Sequence, residues 1–409
     1  MRQPPTESQL APAGGQSTAG ARQVAARLAA FGQTIFTEMS RRAAAAGAIN
    51  LGQGFPNFDG PDFVKEAAIE AIRAGHGQYA RMFGIPELNR RIAQRFTADT
   101  GLVVDPETEV TVTSGCTEAI VASLLGLVEP GQEVVLFEPY YDSYRACVSM
   151  AGAVPRFVTL RPPDFRVDPA KLEAAFSPRT RAILVNTPHN PTGKVYSLAE
   201  LELIAALCRR HDVIAITDEV YERLVFEGEH IRLATLEGMW DRTVTLSSLG
   251  KTFSLTGWKV GWAVAPPHLT DAVRAAHQFI TFATATPPQH GAAAALAAPP
   301  SYYQKFVDAY RRRRDLLVDG LSRVGFEVYR PQGTYFVLAD HGRFGFPDDT
   351  AFCVHLIEQI GVAAIPPGCF YSDPAEGRRL ARFAFCKTEQ ALREALRRME
   401  RLRPRGQSP

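Results

Sequence analysis

The residues that decide the fold are Ala182-Ile-Leu-Val-Asn-Thr-Pro-His-Asn-Pro-Thr-Gly193 and Val213-Ile-Ala-Ile-Thr-Asp-Glu219. Each stretch begins with a continuous apolar run, which is typical of a strand that is covered on both faces. Between them, residues 198–210 have the length of a helix, with apolar residues at three- and four-residue spacing. A strand, a helix and a second strand in this order predict a parallel strand pair joined by a helix.

The same alternation extends along the middle of the chain. Strands are predicted at residues 109–113, 134–137, 182–186, 213–217, 243–247 and 260–265. Segments of helical length lie between them. We therefore expect an α/β domain with a mostly parallel central sheet and helices on both faces.

After about residue 300 the pattern changes to a smaller α+β domain. A long charged helix is expected at residues 302–324, and a final helix at 389–401. Between them, short strands are predicted at 326–330, 334–338, 362–365 and 382–385. The predicted organisation is a flexible tail (1–24), an N-terminal arm with part of the small domain (25–60), a large domain (61–299) and a C-terminal small domain (300–409).

Composition excludes several classes of protein. The chain has 409 residues and a net charge of +2, which is too balanced for a dedicated nucleic-acid or membrane-surface protein. No apolar run reaches membrane-spanning length. The six cysteines form no close pair with metal-ligand or redox spacing, so we expect no metal site, reduced thiols and a cytoplasmic location.

Chemistry-bearing residues follow five successive predicted strands, where ligands of open α/β sheets bind. Each has an ordinary explanation when taken alone: a helix start, packing, a turn, a helix cap or a solvated lysine. Together they match one flat, phosphorylated aldehyde, because that ligand needs an anion cradle, a stacking ring, an acid for its ring nitrogen and a lysine amine. The segments are Ser114-Gly-Cys-Thr-Glu118, Glu138-Pro-Tyr-Tyr-Asp142, the turn that presents Asn190, Asp218-Glu-Val-Tyr221, and the loop with Lys251 and Lys259.

Six motifs in family order identify a resemblance to the class I and II aminotransferases, which are pyridoxal 5′-phosphate (PLP) enzymes of the aspartate aminotransferase fold. The motifs are Asn50-Leu-Gly-Gln-Gly-Phe-Pro56, His189-Asn-Pro-Thr-Gly193, Asp218-Glu-Val-Tyr221, Ser248-Leu-Gly-Lys251, Thr256-Gly-Trp-Lys-Val-Gly261 and Arg382-Phe-Ala-Phe385. The resemblance spans residues 31–401. Within the family, the chain is most similar to kynurenine aminotransferase, glutamine transaminase K and bacterial methionine aminotransferase.

This resemblance implies a role for each matching residue. Lys251, Asp218 and Tyr221 are the implied catalytic residues: Lys251 holds the cofactor as a Schiff base and later moves a proton. Asp218 pairs with the ring nitrogen. The implied cofactor-binding set is Gly115, Cys116, Thr117, Tyr141, Asn190, Asp218, Tyr221, Ser248, Lys251, Lys259 and, from the neighbouring subunit of a homodimer, Tyr79.

Substrate recognition is implied at four further positions and at Asn190. Arg382 would clamp the substrate carboxylate in a bidentate manner, and Asn190 and Gly54 would complete that site. Phe36 and, from the neighbouring subunit, Phe282 would form aromatic walls that favour uncharged or aromatic amino acids such as Met, Gln, Phe, Tyr, Trp or kynurenine. Some relatives carry Trp where this chain has Phe36, which leaves the substrate preference open.

The resemblance implies ping-pong transfer of an amino group to a 2-oxo acid, but other functions remain open. One is N-succinyldiaminopimelate amino transfer, which needs a site for a distal carboxylate. Another is a β-lyase that acts on cysteine conjugates with the same residues. A PLP-binding sensor is the alternative outside enzymes; it needs a fused DNA-binding module, for which the 24 tail residues are too few.

Overall fold

The computed structural model describes residues 24–403. The predicted tail at 1–24 thus lies outside the described residues, except for Val24. In the described part, the helices are α1 (Ile35–Ala45), α2 (Asp62–Arg73), α3 (Pro86–Thr100), α4 (Cys116–Leu127), α5 (Ser143–Met150), α6 (Pro169–Ala174), α7 (Leu198–His211), α8 (Leu249–Thr252), α9 (Pro267–Ile280), α10 (Thr286–Leu296), α11 (Pro300–Val324), α12 (Asp349–His355) and α13 (Glu389–Met399).

The strands fall into three sheets. They are β1 (Ile49–Asn50), β2 (Val110–Thr113), β3 (Glu133–Glu138), β4 (Val154–Thr159), β5 (Thr180–Asn186), β6 (Ile214–Asp218), β7 (Thr243–Ser248), β8 (Gly261–Val264), β9 (Glu327–Tyr329), β10 (Phe336–Asp340), β11 (Val362–Ala363) and β12 (Leu380–Ala384).

The central sheet has seven strands in the order β2-β8-β7-β6-β5-β3-β4. Strand β8 runs antiparallel to both of its neighbours, and the other neighbouring pairs are parallel. The predicted α/β class with a mostly parallel sheet is therefore confirmed. Because β8 alone is reversed, the carboxyl ends of the other six strands lie at one edge of the sheet.

Both faces of this sheet are covered, as the continuous apolar runs predict. In β5, Ala182 and Leu184 pack into the core that contains α4, whereas Ile183 and Val185 pack into the core that contains α7. A capping box starts α7, since Ser197 accepts the backbone N–H of Glu200 and the Glu200 carboxylate accepts that of Ser197.

One edge strand, β4, was not predicted from the sequence. Its first four residues alternate between exposed and half-buried positions, only Val158 is fully buried among its residues, and it contains Pro155. An edge strand can carry proline because one side of its backbone needs no ladder partner. The mixed pattern and the proline therefore gave no strand signal.

The C-terminal strands form a small antiparallel sheet in the order β12-β10-β9, packed with α11 and α13. The predicted strand at 362–365 divides between two partners: β11 pairs in parallel with β1, and Ile365 forms an antiparallel bridge with Arg382 of β12. The pairing with β1 joins the N-terminal segment to the C-terminal elements. The exact limits of the domains stay a prediction.

Candidate active site

A cavity of about 660 Å³ lies at the carboxyl edge of the central sheet. Its walls come from the segments that follow β2, β3, β5, β6 and β7, so neighbouring parallel strands deliver distant parts of the sequence to one place. Ten of the sequence-predicted residues line it: Gly115, Cys116, Thr117, Tyr141, Asn190, Asp218, Tyr221, Ser248, Lys251 and Lys259.

Lys251 reaches this cavity from α8, the single helical turn that follows β7. Its Nζ lies 5.7 Å from the ring centre of Tyr221 and 5.9 Å from that of Tyr335. Burial among these rings lowers the pKa of the Lys251 amine, although the charge of Asp218 opposes that effect. A lysine with a lowered pKa can act as a nucleophile and as a base.

Asp218 is the last residue of β6 and is 4% exposed. Tyr144 donates its phenol proton to Oδ2 at 2.7 Å, and the backbone N–H of Val220 donates to Oδ1 at 3.3 Å. Burial raises the pKa of the Asp218 carboxyl, and these hydrogen bonds work in the opposite direction. The arrangement presents a buried carboxylate to the cavity, suited to pairing with a cationic ring nitrogen.

An anion cradle forms where β2 meets α4. Gly115 precedes the helix at φ 82°, a left-handed conformation that favours glycine. A Cβ atom at this position would lie 3.1 Å from Nζ of Lys259, so the space between the loop and the lysine is open only because residue 115 is glycine. Backbone N–H groups at the start of α4 and the Lys259 ammonium together favour a phosphate.

A second cavity of about 750 Å³ adjoins the first and shares Tyr141, Asn190, Tyr221 and Lys251 with it. The predicted substrate residues Phe36, Gly54 and Arg382 line its outer part.

Arg382 is 1% exposed and donates to the Gly52 carbonyl at 2.9 Å and to Oδ1 of Asn190 at 3.3 Å. Its Nε has no hydrogen-bond partner in the described part of the chain. Burial lowers the pKa of the guanidinium.

Aromatic rings enclose this guanidinium. Its central carbon lies 4.2 Å from the ring centre of Phe336, 5.0 Å from that of Phe36 and 5.1 Å from that of Phe370. Cation–π contacts of this kind orient a guanidinium without neutralising it. The positive charge is therefore available to an incoming carboxylate.

Two predicted residues lie away from these cavities. Tyr79 is 84% exposed and Phe282 is 47% exposed, and their rings contact each other edge to face at 5.5 Å. Neither residue lines either cavity formed by the described residues of its own subunit. Their role in binding stays a prediction.

The aminotransferase class I and II family model matches residues 46–399. The chain belongs to this family. It is therefore a transaminase, as the motifs indicated. A probable N-succinyldiaminopimelate aminotransferase from Mycobacterium tuberculosis is 46% identical over 391 residues, which cover 93% of this chain and 98% of the relative.

Other relatives of this transaminase are named for other amino-acid substrates. The methionine aminotransferase of Escherichia coli is 40% identical and covers 92% of this chain and 97% of its own length. The human kynurenine–oxoglutarate transaminase 1 is 38% identical, with coverages of 91% and 97%. The predicted kinship with methionine and kynurenine aminotransferases is thus confirmed.

Solved structures agree with this assignment. The N-succinyldiaminopimelate aminotransferase structure from M. tuberculosis superposes with a TM-score of 0.90 at 46% identity, covering 93% of this chain and all of that one. A Thermus thermophilus aspartate aminotransferase gives a TM-score of 0.86 at 34% identity, with coverages of 93% and 99%. The predicted aspartate aminotransferase fold is confirmed.

Sequence reasoning missed several residues of this transaminase site. Tyr144 is three residues after Tyr141, a spacing that places both rings near each other at the start of α5, and it holds Asp218. Phe336 and Phe370 pack against the Arg382 guanidinium but lie far in sequence from the strand ends of the central sheet, so no local pattern marks them.

Two negative findings concern residues 24–403. No helix in this range has both the length and the apolar character needed to cross a membrane. The same residues contain no group of three or more His, Cys, Asp or Glu side chains arranged to hold a metal ion.

Proposed function

We propose that this transaminase uses PLP to move an amino group between an uncharged or aromatic amino acid and a 2-oxo acid. The observation that carries the proposal is that Lys251 lines both adjoining cavities, with Asp218 in the first and Arg382 in the second. A half-buried amine thus lies between a buried carboxylate and a buried guanidinium, and each matches one part of the cofactor or substrate.

The residues present fit PLP. The amine of Lys251 suits an aldehyde, and Asp218 suits a pyridinium nitrogen. Gly115 leaves a space beside Lys259 that a Cβ atom would fill, and that space suits the phosphate. Tyr141 lies at the cavity wall, where its ring can stack on a flat ligand.

Arg382 fits the carboxylate common to amino acids and 2-oxo acids. A guanidinium that is 1% exposed normally pairs with an acid, since an uncompensated buried charge is costly. Here Nη1 and Nη2 contact only neutral oxygens, and Nε has no partner in the described residues. A substrate carboxylate would supply the missing negative charge in bidentate geometry.

When bound, PLP supplies an electrophilic carbon and an electron-withdrawing ring. Side chains of the protein bind and orient the substrate and transfer the proton. Arg382 fixes the substrate carboxylate and so orients the Cα–H bond. The Lys251 amine, whose pKa burial lowers, accepts the proton from Cα and returns it to another carbon. The Asp218 carboxylate, which Tyr144 keeps in place, would pair with the positively charged ring nitrogen.

Two features of the outer cavity favour uncharged donors. Phe36, Phe55 and Phe336 line it. The basic residues among its described lining residues are Arg382 and Lys251. Arg382 is already assigned to the substrate carboxylate and Lys251 to the cofactor aldehyde, so neither is available to a charged side chain. Asp142 adds a negative charge at the same wall. A side chain with its own carboxylate would thus meet aromatic surface and an acid.

We propose further that the active unit is a cytoplasmic homodimer with shared sites. Apolar residues exposed in the described subunit, Tyr79, Phe279 and Phe282, are 84%, 87% and 47% exposed. Tyr79 and Phe282 also contact each other edge to face, and adjoining exposed aromatic side chains are typical of association surfaces.

The test is a comparison of amino donors with purified enzyme and a 2-oxo acid acceptor. We expect Met, Phe, Gln and kynurenine to be used in ping-pong kinetics, and Asp to be a poor donor. If the enzyme released pyruvate and ammonia from cysteine conjugates without forming a transaminated product, the transfer of amino groups would be refuted in favour of lyase chemistry.

N-succinyldiaminopimelate is a second candidate donor, favoured by the 46% identity to the mycobacterial relative of that name. The same donor series tests it. If turnover depended on the succinyl group and Met and Phe were used poorly, N-succinyldiaminopimelate would be the donor instead of an uncharged amino acid.

A further inference from the structure

A buried ion pair lies directly behind the anion cradle. His277 on α9 is fully buried, and its Nδ1 lies 2.7 Å from Oε1 of Glu118 in the first turn of α4. Its Nε2 lies 2.7 Å from the carbonyl oxygen of Met82. The other carboxylate oxygen of Glu118 accepts the backbone N–H of Ser114 at 2.6 Å. One histidine thus ties the loop before Gly115 to the segment that follows Tyr79.

The partners require that the His277 ring carries both protons. A carbonyl oxygen only accepts, so Nε2 donates to Met82; a carboxylate also accepts, so Nδ1 donates to Glu118. Desolvation acts to lower the pKa of His277, but the Glu118 carboxylate and the Met82 carbonyl outweigh it and raise the pKa above the ordinary 6.5.

Few other charged groups face the ring. Arg274, one turn earlier on α9, opposes the positive charge of His277. Arg81, next to Met82, pairs with Glu107 at 2.7 Å.

A second set of hydrogen bonds joins the same two places. The hydroxyls of Ser114 and Thr284 lie 3.3 Å apart, and Gln289 donates to the Thr284 carbonyl at 2.7 Å. The Gln289 side chain in turn accepts the backbone N–H of Ile85 at 2.9 Å. This second connection contains no ionisable group, so His277 and Glu118 are the part of the contact that responds to pH.

We propose that doubly protonated His277 is a positioning residue that, through Glu118, holds the Ser114–Gly115 loop in its anion-binding conformation and fixes it to the segment carrying Tyr79. The proposal rests on the proposed function, because it assigns the cradle to the cofactor phosphate. Loss of one proton would leave one of the two ring nitrogens unable to donate, so the connection from Glu118 through His277 to Met82 would be broken at one end and the loop would lose one of its two connections to that segment. Anion affinity should then fall as pH rises through the pKa of His277.

The experiment measures sulfate affinity of the full-length, cofactor-free protein by calorimetry across pH 6 to 9. Sulfate is the probe because its charge is constant over this range. The variants are His277→Gln and Glu118→Gln, and the control is His268→Gln, an exposed histidine on the same helix. Glu118→Gln keeps an acceptor for Ser114 and serves if His277→Gln does not fold.

We expect the wild type and the control to bind sulfate with an affinity that falls with pH. The two test variants should bind about tenfold more weakly at pH 6, as expected for one lost charge-assisted hydrogen bond, and their affinity should respond less to pH. A test variant with the control's affinity and pH response would overturn the positioning role and leave the proposed function intact. If the wild type bound neither sulfate nor PLP, both proposals would fail.

Discussion

At the scale of single residues, the burial of Arg382 has a clear energetic consequence. The side chain is 1% exposed, and the described residues place no carboxylate within ion-pair distance of it. Aromatic rings and two neutral oxygens compensate only part of the cost of removing this charge from water. Its position is therefore better explained by ligand binding than by stability.

Arg382→Ala should raise the half-saturation of the amino donor far more than it lowers kcat. The loss of a charge-assisted, bidentate contact corresponds to about 10- to 100-fold in affinity. The half-saturation of the Arg382→Lys variant should lie between those of the wild type and Arg382→Ala, because an ammonium keeps the charge but cannot form the bidentate pair. Steady-state kinetics check this, with exposed Arg166→Ala as the control. An unchanged half-saturation in Arg382→Ala would refute the clamp.

Tyr144→Phe removes the hydroxyl that donates to Asp218 at 2.7 Å. That hydrogen bond lowers the pKa of Asp218, which burial raises, so the variant should raise the pKa further. Activity needs the ionised carboxylate, which is lost as pH falls through its pKa. The acid limb of the pH–rate profile should therefore move to higher pH in Tyr144→Phe. A profile with the wild-type acid limb would argue against this contact.

Much of the site could be predicted from sequence at this scale. Lys251, Asp218 and Asn190 lie directly after apolar strands, so the fold class alone brings them to one edge. Tyr144, His277 and Phe370 could not be predicted in the same way. Their roles depend on how helices and the small domain pack against that edge, which no local spacing records.

At the scale of elements, the start of α4 determines the anion cradle. Gly115 has φ 82° and ψ 168°, and α4 is buried on most of its surface. The helix cannot shift to make room for a side chain, because it packs against α9 and the sheet. The conformation of one glycine thus controls how closely the backbone approaches Lys259.

Gly115→Ala should weaken binding of inorganic phosphate and PLP to the cofactor-free protein. Alanine at φ 82° and ψ 168° costs about 1–3 kcal/mol, and its Cβ would lie 3.1 Å from Nζ of Lys259. Gly101→Ala is the matched control, since Gly101 has φ 76° with open space around it. Thermal unfolding should show strain in both variants. Equal phosphate affinity in both would contradict the cradle.

Whether a segment forms a helix or a strand was easier to predict than the strand with which it pairs. The apolar runs of β5 and β6 and the spacing of α7 gave the parallel sheet correctly. The two-residue strand β11 could not be assigned to β1, because a pair of residues carries no alternation from which a partner or direction follows.

At the scale of the whole molecule, the exposed pair Tyr79 and Phe282 indicates where a second subunit would bind. Their segments are joined to each other, since the Thr286 hydroxyl donates to the Gln78 carbonyl at 2.7 Å. A fixed, exposed aromatic pair is suited to enter a neighbouring site.

Mixing subunits tests this arrangement. Lys251→Ala and Tyr79→Ala homodimers should each be impaired, but a mixed dimer places both changes in one site and leaves the other intact. Dissociating and reassociating an equal mixture should recover roughly a quarter of wild-type sites. Activity no greater than the mean of the Lys251→Ala and Tyr79→Ala homodimers would show that Tyr79 does not act across subunits. Light scattering during the experiment verifies the dimer.

The central claim, that Lys251 holds PLP for amino transfer, is tested most directly by visible absorption of the purified enzyme. We expect a cofactor band that methionine or phenylalanine removes and a 2-oxo acid restores, and we expect the Lys251→Ala variant to show no such cycle under turnover conditions. A wild-type protein that shows no band after incubation with PLP, or a Lys251→Ala variant that cycles like the wild type, would contradict the account.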